Sequence, residues 1–238
     1  MKQLIAFLRN LVRNNNKEWF AAHKAEYERA KQTVEALAEE LIHRIGEFDP
    51  YVANLRPADC TYRIYRDTRF TQDKSPYKDH MGIYICRGGK KSGFSGYYFH
   101  ISANQSDEDP TIKNYDVCHM MAIGNYYCEQ KALKVLREDI EMGKGEFEAI
   151  LQQVTSAHSY PELKLDRSYA LKTMPRDFPK DSPHADLLKL RNYALYASLS
   201  EEYLTAPDLA KRLAEVCRSA KPFLDFVNRG IEYAMHEM

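Results

Sequence analysis

From Tyr62 to His80 the chain reads YRIYRDTRFTQDKSPYKDH, with five Arg and Lys, three Asp and three Tyr in nineteen positions. The planar fork of arginine suits two-point contact with phosphate or carboxylate, and lysine adds a mobile point charge. Arg63, Arg66, Arg69, Lys74 and Lys78 set against Asp67, Asp73 and Asp79 leave two positive charges in excess. A local excess of cations among tyrosines points to a small phosphorylated or carboxylated molecule. Arg63, Arg66, Arg69, Lys74 and Lys78 are the expected anion ligands, and Tyr77 is an auxiliary hydroxyl donor. For chemistry at such a pocket, Asp67 or Asp73 would serve as general base and His100 as proton carrier. No nucleophile sits at a recognisable spacing from a base, so the catalytic residues, and whether the protein is an enzyme at all, stay unassigned.

Two other readings compete. In the first, Arg66, Arg69 and their neighbours are consumed by Asp67, Asp73 and Asp79 in an ion-pair network that pins an irregular loop and binds nothing. In the second, the basic segment, the exposed tyrosines and the Lys90-Lys91 pair form a nucleic-acid surface that combines stacking with phosphate contacts. The overall balance counts against the second, because Lys plus Arg equals Asp plus Glu at 34 each. No whole-molecule field then draws a polyanion or an anionic membrane surface.

Other motifs contribute less. GGKKSG resembles the tail of a phosphate-binding loop, but it lacks the GxxxxGK[ST] spacing and precedes a strand. The five cysteines form no Cys-x-x-Cys pair, and the eight histidines form no His-x-x-x-His. Spacing therefore supports no disulfide framework, no metal site and no particular cofactor. In GYYFHIS, Tyr98 and His100 share one strand face and Tyr97 and Phe99 the other, and core packing is the favoured reading for all four. Trp19 and Phe20 anchor the first helices. Lys172, Arg176, Lys180 and His184 make a second basic cluster, for which a solvated loop is the favoured reading and a wall closing over the first cluster the alternative.

The elements that must hold these residues follow from periodicity. Phe20, Tyr27, Val34, Leu37, Leu41 and Ile45 recur at helical spacing and predict one helix of about 28 residues after LIAFLRNLV. Asn14 to Asn16 cap the turn between the two helices. TYRIYR, HMGIYICR, GFSGYYFHISAN, YDVCHMMAIGNYY and NYALYASL alternate as strands, and GGKKSG closes a hairpin. Gly143 to Gly145 break a helical segment, Ser182 caps a short helix, and a closing helix starts near Pro207. The expected fold is α+β, with an N-terminal helical hairpin, a central, mainly antiparallel sheet and C-terminal helices.

FLRNLVRNNNKEWFAAHKAEY, YRIYRDTRFTQDKSPYK, GYYFHIS and LKTMPRDFPKDSPHADLLKLR occur in that order. With them the chain resembles the proteins grouped as domain of unknown function 2461, over nearly its whole length. The resemblance implies one domain spanning residues 1–238 and carries no activity, cofactor or catalytic residue. After GYYFHIS, where that group commonly continues with a glycine-rich strand, this chain has QSDEDPTIKNYDVCHMMAIG. No apolar run reaches bilayer-spanning length and the N-terminus turns polar early, so the expected location is the cytoplasm.

Overall fold

The structure is a computed structural model that describes residues 1–69, 72–103, 119–156 and 161–236. It is α+β, with ten helices and one five-stranded antiparallel sheet among the described residues. Helix α1 (Lys2–Arg13) buries Leu4, Ile5, Phe7, Leu8 and Leu11, a stripe at spacings of three and four. The expected long second helix is interrupted. Helix α2 (Lys17–Ala22) stops at His23, whose ring stacks on Trp19 with centroids 4.0 Å apart, and α3 (Lys24–Gly46) then runs for 23 residues. The Nδ1 atom of His23 also lies 2.8 Å from the Trp19 carbonyl oxygen, so a side chain occupies the point where the ladder breaks.

Asn16 caps α2 as expected, its Oδ1 accepting from the Trp19 backbone N–H at 2.8 Å. Asn15 does something else. Its amide donates to the Tyr77 carbonyl at 3.0 Å and accepts from the Tyr77 N–H at 3.1 Å, which ties the charged segment to the first helical turn.

After α4 (Pro57–Cys60) the expected strand TYRIYR is an extended segment instead, whose β-type pairing among the described residues is limited to the isolated bridges Thr61 to Ile83 and Tyr65 to Tyr77. Its alternation reflects one buried side chain, Ile64, between polar neighbours. The sheet is built from β1 (His80–Cys86), β2 (Gly96–Ser102), β3 (Met120–Asn125), β4 (Lys164–Leu165) and β5 (Tyr193–Ser198), in the order β1-β2-β3-β5-β4. The part of the proposed third strand before His119 lies outside the described residues, as does Cys118.

Between β3 and β4, helices α5 (Gln130–Met142) and α6 (Glu146–Thr155) are separated where expected, with positive φ at Lys144 and Gly145. Short helices α7 (Ala185–Leu188) and α8 (Glu201–Thr205) flank β5. Ser182 accepts from the His184 N–H at 3.1 Å just ahead of α7, whose N-cap position is His184. The predicted closing helix is two, α9 (Leu209–Ser219) and α10 (Lys221–His236). Pro222, with no N–H to donate, cannot continue the ladder of α9, so the chain restarts at Lys221.

One face of the sheet carries Met81, Ile83, Ile85, Tyr97, Phe99, Ile101, Met121, Ile123, Tyr193 and Leu195 into the core, against α1, α3 and α10. Burying roughly ten such side chains contributes about 1.5–3 kcal/mol each, before the entropy of ordering them is set against it. No described helix is long and apolar enough to cross a membrane.

Candidate functional site

Period-2 alternation sends the intervening strand residues to the opposite face, and that face holds the principal cavity. Tyr84 on β1 pairs with Tyr98 on β2, Tyr98 with Ala122 on β3, and Ala122 with Tyr196 on β5, so a row of tyrosines crosses the sheet with one alanine in it. Ala122, Gly124 and Ala194 form a low floor. Around it, Tyr62, Tyr98, Tyr126, Tyr169 and Tyr196 help to enclose a cavity of about 420 Å³. Asp166, the one acidic lining residue among the described residues, is buried and accepts from the Asn192 amide at 2.7 Å and the Ser168 N–H at 2.9 Å.

Beside it lies a smaller lobe of about 200 Å³, lined by Tyr62, Arg63, Lys78, His80, Gly82 and Tyr98. Tyr62 and Tyr98 belong to both lobes and form the wall between them. Gly82 makes this possible: a Cβ there would lie 3.1 Å from the Tyr98 ring and 3.5 Å from Tyr62. The small lobe is cationic. Arg63 and Lys78 take part in no ion pair among the described residues, and the Lys78 ammonium lies 5.5 Å from the Tyr62 ring centroid. Burial, and then the charge of Arg63, push the Lys78 pKa down. Two cations that disfavour each other across a partly desolvated recess are a ready site for an anion. Lys90, bonded to the Ala58 carbonyl and 6.0 Å from the same tyrosine ring, brings a third positive charge to the larger lobe.

The remaining sequence candidates are placed differently. Arg66 pairs with Asp73. Arg69 grips Asp67 at two points, 2.9 and 2.7 Å. Lys74 donates to the Thr68 carbonyl at 2.9 Å. Tyr77 is buried, its ring stacked on Phe20 with centroids 4.0 Å apart. The structure thus brings Arg63 and Lys78 together at a cavity and spends Arg66, Arg69 and Lys74 on local partners. Asp67 is held down at about 2 by the hydrogen bonds of Arg69, and Asp73 is depressed further by Ser75 and Arg66. Carboxylates so stabilised in the charged form are poor proton acceptors near neutrality.

His100 lies buried on the cavity face, its Nδ1 2.9 Å from the Tyr98 hydroxyl and its ring stacked on His80 with centroids 4.2 Å apart. The sequence reading singled out His100 and missed His80. The Nδ1 atom of His80 lies 2.8 Å from Asp79 Oδ1 while its ring lines the cationic lobe. Burial pushes the Asp79 pKa up, but the hydrogen bond and charge of His80 outweigh it and the net direction is down. A carboxylate on one ring nitrogen fixes the tautomer and leaves the other nitrogen for proton transfer. The adjacent pair Asp79-His80 at the start of a strand was the available signal.

His184 of the second basic cluster is bonded to Glu148 on α6, and Ser182 to Glu141 on α5 at 2.5 Å. These bonds dock that loop on the helices. Among the described residues no group of His, Cys, Asp and Glu is placed to hold a metal ion.

The molecule is thus a sheet-platform α+β protein, with helices on one face and a ligand-sized, tyrosine-lined cleft with a basic end on the other. The chain belongs to the family described as conserved hypothetical protein (DUF2461), which it matches over residues 3–226. No curated protein and no solved structure matches it at a stringent threshold.

Proposed function

We propose that this protein binds a small anionic molecule, phosphorylated or carboxylated, in the two-lobed cleft on the cavity face of the sheet, with Arg63 and Lys78 as its charge-bearing contacts. The supporting observation is that these two cations share a recess whose lining, among the described residues, includes no carboxylate. For residues 66–75 the local pairs of Arg66, Arg69 and Lys74 favour the structural reading, a network that shapes the loop. His80 is the best-placed proton carrier for any reaction on the bound anion, and Arg69 has no part in binding. The cytoplasm is the proposed location, supported by four described cysteines that are buried and free.

The test is calorimetric titration with pyrophosphate, citrate and a short oligonucleotide. A charge-assisted contact contributes about 2 kcal/mol, so Lys78→Ala weakens pyrophosphate or citrate roughly thirtyfold. Arg69→Ala changes neither the affinity nor the unfolding midpoint, because its pair with Asp67 is exposed and screened by solvent. Equal binding by wild type and Lys78→Ala removes the proposal. An oligonucleotide whose affinity falls steeply with salt would move the reading to nucleic acid.

A further inference from the structure

The small lobe holds a group that can become a third cation. His80 opens β1 with its Nδ1 atom 2.8 Å from Asp79 Oδ1, and a ring nitrogen set against a carboxylate carries the proton. The neutral ring therefore keeps its lone pair on Nε2, and that atom enters no hydrogen bond or ion pair among the described residues. The ring lines the recess beside Arg63 and Lys78, and the His80 side chain is 22% exposed. A proton added at Nε2 makes His80 a donor with a full positive charge.

The charges around the ring decide when that proton is taken up. Asp79 favours it. Arg63 and Lys78, on the extended segment that faces β1, oppose it, as does His100 on β2, stacked on His80, whenever it is itself charged. The phenols of Tyr62 and Tyr98, which complete the polar lining, add no charge near neutrality. An anion in the recess offsets the two opposing cations, so anion and proton each strengthen the binding of the other.

Charge and shape also select the anion. Two cations outside any ion pair, in a recess whose described lining includes no carboxylate, match two negative charges; a monoanion would leave one cation uncompensated. Guanidinium, ammonium and imidazolium belong to three different residues, and a tetrahedral group has an oxygen for each, whereas a carboxylate has two oxygens in one plane. A lobe of about 200 Å³ has room for such a group.

We infer that the recess takes up a tetrahedral dianion, the phosphate group of a monoester or free phosphate, together with a proton on Nε2 of His80. The inference rests on the anion-binding reading above and adds the charge, the shape and the proton.

The experiment is calorimetric titration of wild type and His80→Gln with sulfate and formate at pH 8 and pH 5.5, the range over which histidine gains its charge while sulfate stays a dianion and formate a monoanion. Repeating the sulfate titration at pH 7 in buffers of different ionisation enthalpy counts the protons bound. Wild type is expected to prefer sulfate to formate, to take up a fraction of a proton with it, and to bind it about tenfold or more tighter at pH 5.5 than at pH 8, the scale of one charge-assisted hydrogen bond. His80→Gln keeps an N–H donor that does not titrate, so it should still bind sulfate but lose the proton uptake and the pH dependence. Inorganic phosphate against methyl phosphate at pH 8 separates the free ion from an ester, and tighter binding of either than of formate supports the inference. A wild-type sulfate affinity that is the same at both pH values, or equal to that for formate, overturns it and leaves anion binding intact. A pH dependence that persists in His80→Gln assigns the proton to a neighbour such as His100 and overturns it as well. Binding of pyrophosphate or citrate without sulfate or phosphate overturns this inference alone, and if none of these anions binds, the anion reading falls with it.

Discussion

Gly124→Ala is expected to destabilise the protein by roughly 4 kcal/mol, a large part of the 5–15 kcal/mol that holds a typical domain folded. Gly124 sits in β3, near the middle of the sheet, at φ +119°. A Cβ there would stand 2.3 Å from the Tyr193 carbonyl oxygen and 3.0 Å from the Phe223 ring. The first neighbour is backbone in a paired strand and cannot retreat without opening the β3-β5 ladder. Gly145 is the control. It also has positive φ, +86°, but nothing lies within 4 Å of its notional Cβ, so Gly145→Ala carries conformational strain alone, about 1–2 kcal/mol. Urea unfolding of the two variants beside wild type separates clash from strain, and equal midpoints would refute the account of Gly124.

Strand identity was legible at GYYFHIS and NYALYASL because β-branched and aromatic residues alternate there, and the assignment of Tyr98 and His100 to one face and Tyr97 and Phe99 to the other holds. Reading the cavity required the strand order. Tyr84, Ala122 and Tyr196 are remote in sequence and meet only because β5 inserts between β3 and β4. Both sheet faces are rich in apolar and aromatic side chains, so composition does not distinguish core from cleft. Gly82 and Ala122 look like weak strand residues until the rings beside them are seen to need the space.

The charged segment was conspicuous for a related reason. A dense run of Arg, Lys and Asp shows that electrostatics matter locally, but ion-pair partners depend on how the loop turns. Asp67 reaches Arg69 two positions on, and Asp73 reaches Arg66 seven positions back. What remains for a ligand is decided at the ends of the segment, where Arg63 and Lys78 are brought side by side by the bonds between Lys78 N–H and Ile64 carbonyl, 2.8 Å, and between Arg66 N–H and Pro76 carbonyl, 3.0 Å. Those bonds are invisible to spacing rules because the segment forms no regular strand.

The second large effect is a loss of stability between pH 6.5 and pH 4, and it belongs to His119. This side chain is buried at the entrance to β3, where its Nδ1 accepts from the Ser102 N–H at 3.1 Å. Acceptance at Nδ1 requires the neutral ring protonated at Nε2, because the imidazolium has no acceptor to offer. Burial drives its pKa down to about 4, the charge of Glu201 opposes that fall, and Arg9 adds to it. The unfolded chain takes up the proton near 6.5 and the folded one only near 4, so the unfolded state gains protons first as pH falls. Stability is therefore complete above 6.5, declines through the window and levels off below the folded value. The gap corresponds to up to about 3 kcal/mol at 1.4 kcal/mol per tenfold. His119→Asn keeps an acceptor for the Ser102 N–H and removes the titration. Chemical denaturation at pH 7.5, 5.5 and 4 should show the wild-type advantage over this variant shrinking as the pH falls. Parallel curves for the two proteins would mean that His119 does not govern the acid limb.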